Sequence, residues 1–301
     1  MTSHIRIMVY RHSAFYSPLI SAVAAGFLKQ EGLEPEYRVK PKERDLYDMF
    51  RRREVDVMQA AVSTSWDALS KGVRDIPVHF AQINQRDGFF LVRRSFGGSF
   101  SWKDLEGATL LADHGQQPLA MLKYALWRQH VDWKSIEIID AGVPEKMMDA
   151  FRNGTGDYVH LQGPAAQQLE VEGFGEIAAA VGDANPPVAF SSLMANRDFL
   201  ETSTAAAFMN AYRRSLDYVI ESPAGVVAAA QSSFFPGVAS EALVAAIARY
   251  QKLGTWRRDA AITKDQYEVA LDVFMFNGII PSRFPYEDVV VPPPTARVRT
   301  L

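Results

Sequence analysis

The chain has 301 residues, of which 48% are hydrophobic and 22% charged, a composition typical of a globular protein with a sizeable core. Its length predicts one large domain or two lobes of about 100 to 150 residues each, and we favour two lobes. A formal net charge of −3 argues against nucleic acid or an anionic membrane surface as the main partner. Cysteine is absent from the sequence, which excludes disulfides, thiolate metal ligands and cysteine nucleophiles.

The amino-terminal sequence gives an expectation for the cellular location of the protein. MTSHIRIMVY lacks the basic start, apolar run and small-residue cleavage site of a secretory leader. The stretch with the lowest charge, residues 13–28, contains Pro18 and Gly26 and falls short of the roughly 18 apolar residues of a membrane-spanning helix. As written, the sequence predicts a cytoplasmic location, or a periplasmic one if a leader has been removed.

Strand and helix patterns alternate in the first part of the chain. Pro18 stands where a first helical turn tolerates proline, and Gly32 stands where a helix ends. The patterns predict, in alternating order, strands and helices at residues 5–10, 18–32, 36–39, 43–53, 55–60 and 66–71. This β-α-β-α-β order favours a parallel sheet with helices on its faces.

The same order recurs from residue 108 onward. The predicted strands ATLLAD, IEIID and DYVHL alternate with helices that begin at Pro118 and Pro144. The segment FRNGTGDYVHLQGPA, residues 151–165, repeats the pattern of FRRREVDVMQAAVST, residues 50–64. Because element order, spacing and loop positions all agree, we predict an internal structural duplication.

The remaining segments define the predicted lobes. PVHFAQIN and GFFLVRR are predicted strands leaving the first lobe, with crossings near residues 84–90 and 186–191. Helices are predicted at residues 198–222, 223–232, 240–251 and 263–277, and residues 289–301 are expected to form an extended strap. We expect the helical tail to cover the first sheet, so that the first lobe comprises residues 1–86 plus 191–301 and the second comprises residues 87–190.

Four segments carry a family resemblance: SPLISAVAAGFLKQEGLEPEY, WKDLEGATLLADHGQQPLAML, DAFRNGTGDYVHLQGPAAQQLE and FPYEDVV. Together they resemble type II periplasmic-binding-protein-like chains, in the branch of receptors for nitrate, taurine, alkanesulfonates and thiamine-pyrimidine precursors. The resemblance implies an α/β fold of two lobes, each a mainly parallel sheet flanked by helices, with two crossovers as a hinge. Pyrimidine synthases and a sulfinate-cleaving enzyme of this fold use cysteines, so the cysteine-free sequence disfavours both activities.

Four loops that precede helices are expected to face the cleft between the lobes. Free backbone N–H groups at such helix starts suit an anion or a polar ring substituent, although Ser and Thr there also serve as helix caps. The polar candidates for ligand binding are Arg11, Ser13, Ser63, Thr64, Ser65, His114, Gly115, Gln116, Gln117, His160, Gln162 and Gly163. The aromatic candidates, each with a place in the core as the alternative, are Phe15, Tyr16, Trp66, Phe89 and Phe190.

No motif in the sequence requires catalysis. No histidine pair has i, i+4 spacing, and no HExxH, GxSxG, phosphate loop or dinucleotide fingerprint occurs, so we expect neither a metal nor a cofactor. The leading hypothesis is a monomeric solute-binding protein of the ABC-transporter type that captures a small anionic or planar ligand and presents it to membrane transporter subunits. The alternative is an intracellular decarboxylase or pyrimidine-pathway enzyme that uses His114 or His160 as general acid or base. A sensor lobe is a third possibility.

Overall fold

The computed structural model describes residues 2–94 and 96–295, and its strands form two five-stranded sheets. The strands are β1 (Ser3–Val9), β2 (Leu33–Val39), β3 (Val57–Ala60), β4 (Val78–Asn84), β5 (Phe89–Arg93), β6 (Thr109–Leu111), β7 (Glu137–Ile139), β8 (Tyr158–Gln162), β9 (Glu176–Ala180) and β10 (Ser191–Ala195).

Helices flank both sheets. They are α1 (Ser17–Ala24), α2 (Phe27–Gln30), α3 (Leu46–Arg51), α4 (Val62–Ser70), α5 (Gln116–Arg128), α6 (Pro144–Arg152), α7 (Ala165–Val171), α8 (Val181–Ala184), α9 (Arg197–Leu200), α10 (Ser203–Glu221), α11 (Ala224–Gln231), α12 (Ser240–Leu253), α13 (Lys264–Phe276) and α14 (Tyr286–Val289). Short 3₁₀ turns lie at Ala14–Tyr16, Trp102–Leu105, Trp133–Ser135 and Ser232–Phe234. Within the described residues, no helix is long and apolar enough to cross a membrane.

The two sheets have the same topology. The first sheet has the order β2-β1-β3-β10-β4 and the second the order β7-β6-β8-β5-β9. In each sheet four strands run in one direction, and the strand in fourth place, β10 or β5, runs antiparallel to both neighbours. That reversed strand follows a crossing from the other sheet, at residues 85–88 for β5 and at residues 181–190 for β10. We call the first sheet with its helices the first lobe and the second sheet with its helices the second lobe.

The structural repeat extends to individual hydrogen bonds. The Asp56 carboxylate accepts the backbone N–H of Arg6 at 2.8 Å, and the N–H of Asp56 donates to the carbonyl oxygen of Arg6 at 3.0 Å. Asp157 makes the same pair of bonds with Thr109, both at 2.9 Å. Each aspartate therefore ties the start of β3 or β8 to the neighbouring parallel strand.

Some helices begin earlier than predicted, α4 by about four residues and α5 by two. Helix α4 begins at Val62 and α5 at Gln116, so Ser63, Thr64 and Ser65, like Gln116 and Gln117, lie in a first turn and not in a loop. The predicted helix 198–222 is divided, because the Thr202 side chain caps α10 by accepting the N–H of Ala205. The Thr263 side chain caps α13 in the same way.

The helical tail contacts both lobes. Helices α10 and α11 pack on α1 of the first lobe, whereas α12 also packs on α7 and α13 also packs on α5 of the second lobe. After α14, the backbone N–H of Val291 donates to the carbonyl oxygen of His79 at 2.9 Å. The end of the predicted strap, residues 296–301, lies outside the described residues.

Candidate functional site

The carboxyl ends of β1 and β3 face those of β6 and β8 across a narrow cleft between the lobes. In open α/β sheets, ligands bind at the edge formed by the carboxyl ends of the parallel strands, where the loops leave the sheet. Two contacts join the walls directly: Ser13 Oγ donates to Gly163 O at 2.6 Å, and Ser63 Oγ donates to Gln117 Oε1 at 3.1 Å. The cleft is therefore closed by side chains of both lobes.

An ion pair between Arg11 and Asp113 forms a third contact across the cleft. Arg11 Nη1 lies 2.5 Å from Asp113 Oδ2, and Arg11 Nη2 lies 2.9 Å from Asp113 Oδ1, a bidentate arrangement. Burial alone would lower the pKa of Arg11, but the hydrogen bonds and charge of Asp113 raise it above its ordinary value. Burial acts to raise the pKa of Asp113, and the Arg11 guanidinium more than offsets this and lowers it. Both groups are therefore charged at neutral pH.

Neighbouring groups hold both Arg11 and Asp113 in place. Gln59 Oε1 accepts the backbone N–H of Tyr10 at 3.0 Å and so holds the loop that carries Arg11. Asp113 Oδ1 also accepts the backbone N–H of Gly115 at 2.8 Å. A Cβ atom at Gly115 would lie 2.8 Å from Arg11 Nη2 and 2.9 Å from Asp113 Oδ1. A side chain at position 115 would therefore force the Arg11 and Asp113 side chains to shift from this geometry.

Beside the ion pair, Phe89 and His160 form an aromatic stack on one face of the second sheet. Phe89 pairs with Gln162 and Leu91 pairs with His160, so all four side chains project from the same face. The rings of Phe89 and His160 lie 4.4 Å apart with an interplanar angle of 28°, and Arg11 Cζ lies 5.8 Å from the Phe89 centroid.

The imidazole of His160 is fully buried. Neither of its ring nitrogens has a hydrogen-bond partner among residues 2–94 and 96–295. Burial lowers the pKa of His160 to about 3, so the ring is neutral and offers one donor and one acceptor.

Tyr16 and Phe15 line the inner end of the cleft. Tyr16 is buried, and burial raises the pKa of its hydroxyl. Phe15 packs edge-on against Phe190 at 5.3 Å, and a Cβ atom at Gly88 would lie 2.2 Å from the Phe15 ring. Phe15 and Phe190 therefore belong to the apolar packing beside the two crossings.

Two groups beside the crossings were not predicted from the sequence: the Tyr250 hydroxyl and the Asp87 carboxyl. The Tyr250 hydroxyl, from α12, accepts the N–H of Gly163 at 2.7 Å and donates to the carbonyl oxygen of Gly88 at 2.9 Å. Asp87 is fully buried, and burial raises its pKa to about 8, so that its carboxyl is protonated at neutral pH. Its Oδ1 accepts the N–H of Phe89 at 2.8 Å, whereas Oδ2 has no partner in the described part of the chain.

The structure brings most of the sequence-predicted site residues together and places the others elsewhere. The residues that meet at the cleft are Arg11, Ser13, Tyr16, Ser63, Phe89, Gly115, Gln117, His160, Gln162 and Gly163. Gln117 also donates from Nε2 to the carbonyl oxygen of Phe190 at 2.7 Å. His114 and Gln116 are exposed, and His114 Nδ1 lies 2.8 Å from the carbonyl oxygen of Ala112.

Ser65 and Trp66 lie in the core of the first lobe instead. Ser65 Oγ lies 3.1 Å from His79 Nε2, and Trp66 Nε1 donates to the Tyr267 hydroxyl at 2.9 Å. Because α4 starts at Val62, both side chains fall on its buried face. Thr64 is half-buried, and its carbonyl oxygen accepts the Tyr47 hydroxyl at 2.8 Å.

The two histidines considered for catalysis differ in their surroundings. His114 Nδ1 lies 3.7 Å from Asp140 Oδ1, beyond hydrogen-bond distance, and within residues 2–94 and 96–295 neither His114 nor His160 hydrogen-bonds to a carboxylate or a hydroxyl. In the same residues, no group of three or more His, Asp or Glu side chains is arranged to hold a metal ion. Two depressions of about 370 and 390 Å³ lie away from the cleft, one beside His4 and Arg6 and one beside Trp127 and Trp133.

Comparison with known proteins identifies both a family and a fold. A family model described as NMT1/THI5 like matches residues 14–226. YtlA of Bacillus subtilis (strain 168), described as a candidate binding protein, is 28% identical over 290 residues, which cover 95% of this chain and 87% of YtlA.

Two solved structures have the same architecture. The ligand-binding component of an ABC-type import system from Staphylococcus aureus, solved with zinc bound, has a TM-score of 0.76 and 15% identity over 97% of each chain. The alkanesulfonate-binding protein SsuA from Xanthomonas axonopodis pv. citri, bound to MOPS, has a TM-score of 0.72 and 13% identity, over 96% of this chain and 98% of SsuA. The predicted two-lobed periplasmic-binding-protein fold is thereby confirmed.

Proposed function

Because the chain belongs to the NMT1/THI5-like family, we propose that it is a solute-binding protein that captures a small organic molecule between its lobes by hinge closure. The observation that carries the proposal is the cleft at the carboxyl ends of β1, β3, β6 and β8, where polar side chains of both lobes meet. The fold shared with import-system components and the similarity to YtlA support the same role.

The hinge that we propose lies at the two crossings. Residues 1–86 plus 191–301 would move as the first lobe, and residues 87–190 as the second. Rotation about residues 85–88 and 181–190 can separate the cleft walls without breaking a hydrogen bond within either sheet, because each crossing lies between two strands. Opening then exposes the polar groups that now contact each other.

We propose that the ligand contacts Ser13, Tyr16, Phe89 and His160, with Gln162 and the Arg11–Asp113 ion pair beside them. Apolar contact with Phe89 and Tyr16 would supply much of the affinity, and the polar groups would supply orientation. His160 is a strong candidate because its buried ring nitrogens have no partner in the described residues, and a ligand atom would satisfy one of them.

The proposed partners are the ligand and the subunits of an ABC transporter. Capture requires one chain only, since both walls of the cleft come from the same chain, and we propose a monomer in solution. Light scattering coupled to gel filtration measures this directly, with a mass near 33.5 kDa expected.

Screening the purified protein against small solutes tests the proposal. The panel contains sulfonates, nitrate, aromatic acids, pyrimidines, polyamines and guanidines. A solute present at 100 times its dissociation constant stabilises the protein by about 2.7 kcal/mol, which raises the melting temperature by about 5 °C for a chain of this size. Small-angle scattering of the same samples reports the change in lobe separation. If no solute of any charge class changes either measurement, solute binding is not the function.

A further inference from the structure

The Arg11–Asp113 ion pair at the cleft indicates which charge the ligand has. We propose that the cleft selects a ligand with a planar, cationic group rich in N–H donors, such as a guanidinium or an amidinium, which takes the place of the Arg11 guanidinium on Asp113. The inference rests on the proposed solute-binding function and names the ligand class of that site.

Asp113 is the partner that stays in place when the pair separates. Its side chain is 4% exposed, and its carboxylate is tethered by the N–H of Gly115 directly after β6. The Arg11 side chain is 31% exposed and has a long flexible stem, so its guanidinium can turn into water and be hydrated there. Removing Arg11 alone would leave a buried, unpaired carboxylate, which is strongly unfavourable. The group that displaces Arg11 must therefore bring hydrogen-bond donors and positive charge.

The space around the guanidinium fits a flat group. The carboxylate presents both oxygens to two N–H donors, the bidentate pattern typical of guanidinium. The Phe89 ring lies on one side at 5.8 Å from Arg11 Cζ, and His160 stacks behind that ring. The absence of a side chain at Gly115 leaves room for the donor that now belongs to Arg11.

The other charged group that acts on Arg11 favours the same ligand class. Glu145, at the start of α6, adds a second negative charge that stabilises the Arg11 cation. With Arg11 displaced, the ligand position lies against the charged carboxylate of Asp113 and near the neutral ring of His160. The negative charge of Glu145 also acts on this position. An anion would be repelled by the Asp113 carboxylate, whereas a cation is attracted and can also donate a hydrogen bond to the unprotonated ring nitrogen of His160.

The experiment compares probes of opposite charge and similar shape. Binding of benzamidinium, methylguanidinium, benzoate and methanesulfonate is measured by calorimetry on the wild-type protein and on variants. We expect the two cations to bind and the two anions to bind at least about tenfold more weakly, because a charged hydrogen bond contributes about that much. Arg11→Ala, with Arg11→Gln as a second variant that keeps the stem, should strengthen cation binding about tenfold by removing the internal competitor. Asp113→Asn should weaken it by a similar factor.

A matched ion pair provides the control. Arg152 and Glu172 form a bidentate pair at 2.8 and 2.9 Å with side chains 29% and 27% exposed, but both lie within the second lobe. Arg152→Ala and Glu172→Gln should leave the binding of every probe unchanged. Circular dichroism of each variant establishes that it is folded.

The outcomes separate this inference from the proposed function. If benzoate or methanesulfonate binds and Arg11→Ala abolishes that binding, Arg11 anchors an anion and the inference is wrong, although solute binding stands. If no probe binds to the wild type or to either Arg11 variant, the inference is also overturned, while any hit in the wider solute panel preserves the proposed function. Tighter cation binding by Arg11→Ala than by the wild type supports it.

Discussion

Replacing Tyr250 by phenylalanine removes one hydroxyl that joins three parts of the molecule. The hydroxyl comes from α12, accepts the N–H of Gly163 in the second lobe and donates to the carbonyl oxygen of Gly88 in the first crossing. The side chain of Tyr250 is fully buried. In the closed form the substitution therefore leaves one buried donor and one buried acceptor without their partner.

The magnitude follows from these two groups. An unpaired buried polar group costs about 1 to 3 kcal/mol, so two such groups should cost the closed form about 2 to 6 kcal/mol. For a chain of this size that corresponds to a fall in melting temperature of about 4 to 12 °C. Opening the cleft admits water to the N–H of Gly163 and recovers part of the loss, so the substitution should also shift the population toward the open form.

Thermal unfolding and small-angle scattering measure the two effects. Tyr212→Phe is the matched control, because the Tyr212 hydroxyl is equally buried and donates to the carbonyl oxygen of Gln82 at 3.0 Å, entirely within the first lobe. The control should lower the melting temperature without enlarging the radius of gyration. If Tyr250→Phe unfolds at the wild-type temperature, or loses stability with no change in radius of gyration, the hydroxyl does not hold the lobes together.

Three further predictions concern stability. Gly154→Ala should destabilise the protein by about 1 kcal/mol in urea unfolding, because Gly154 has φ = +93° with open space around it, whereas Gly225→Ala, in the exposed first turn of α11, should stabilise it slightly. Trp66→Phe should cost about 2 kcal/mol through the lost bond to Tyr267 and the cavity left behind, yet leave solute affinity unchanged because the indole lies in the core. Asp87 keeps its proton in the folded state up to pH about 8 and loses it near pH 4 when unfolded, so between pH 6.5 and 8 the stability of the wild type should fall relative to that of Asp87→Asn by up to about 1.4 kcal/mol per pH unit.

Each of these three predictions has an outcome that would contradict it. A Gly154→Ala variant as stable as the wild type would contradict the assigned backbone conformation, and a change in solute affinity in Trp66→Phe would place the indole in the site. The pH series compares the wild type with Asp87→Asn at each pH, because burial lowers the pKa of His79 and His160 from 6.5 to about 3, and these histidines make both proteins more stable as the pH rises through 6.5. An identical slope in Asp87→Asn would assign the pH dependence to another group.

Sequence reasoning succeeded where the signal is local. The repeated pattern at residues 50–64 and 151–165 depends on short-range periodicity, and the structure reproduces it as the paired aspartates Asp56 and Asp157. The loop positions at the strand ends follow from the order of the elements, and this reasoning led to Arg11 and His160. Local reasoning failed for Ser65 and Trp66, since moving the start of α4 by one turn rotates these side chains from the cleft to the core.

Contacts between distant segments left no signal in the sequence. Asp113 lies in a loop that was expected to face the cleft, but its pairing with Arg11, 102 positions away, depends on how the lobes meet. Tyr250 reads as one more aromatic residue of an amphipathic helix, and only the packing of α12 places its hydroxyl against Gly163. The burial of the Asp87 carboxyl could not be predicted either, because the local sequence does not indicate that other segments enclose position 87.

The chemistry of the closed interface indicates where the molecule opens. At the cleft, the contacts are hydrogen bonds and one ion pair, and water replaces the partners of such groups at a net cost of about 0.5 to 1.5 kcal/mol for each bond. Beside the crossings, the contacts are aromatic: Phe15 packs against Phe190 and directly against Gly88. Exposing those rings would lose about 25 cal/mol for each square ångström of apolar surface, with no recovery from water. Separation is therefore easiest at the polar walls and hardest at the aromatic crossings, which is the mechanical requirement for a cleft that opens to solvent while its hinge stays packed.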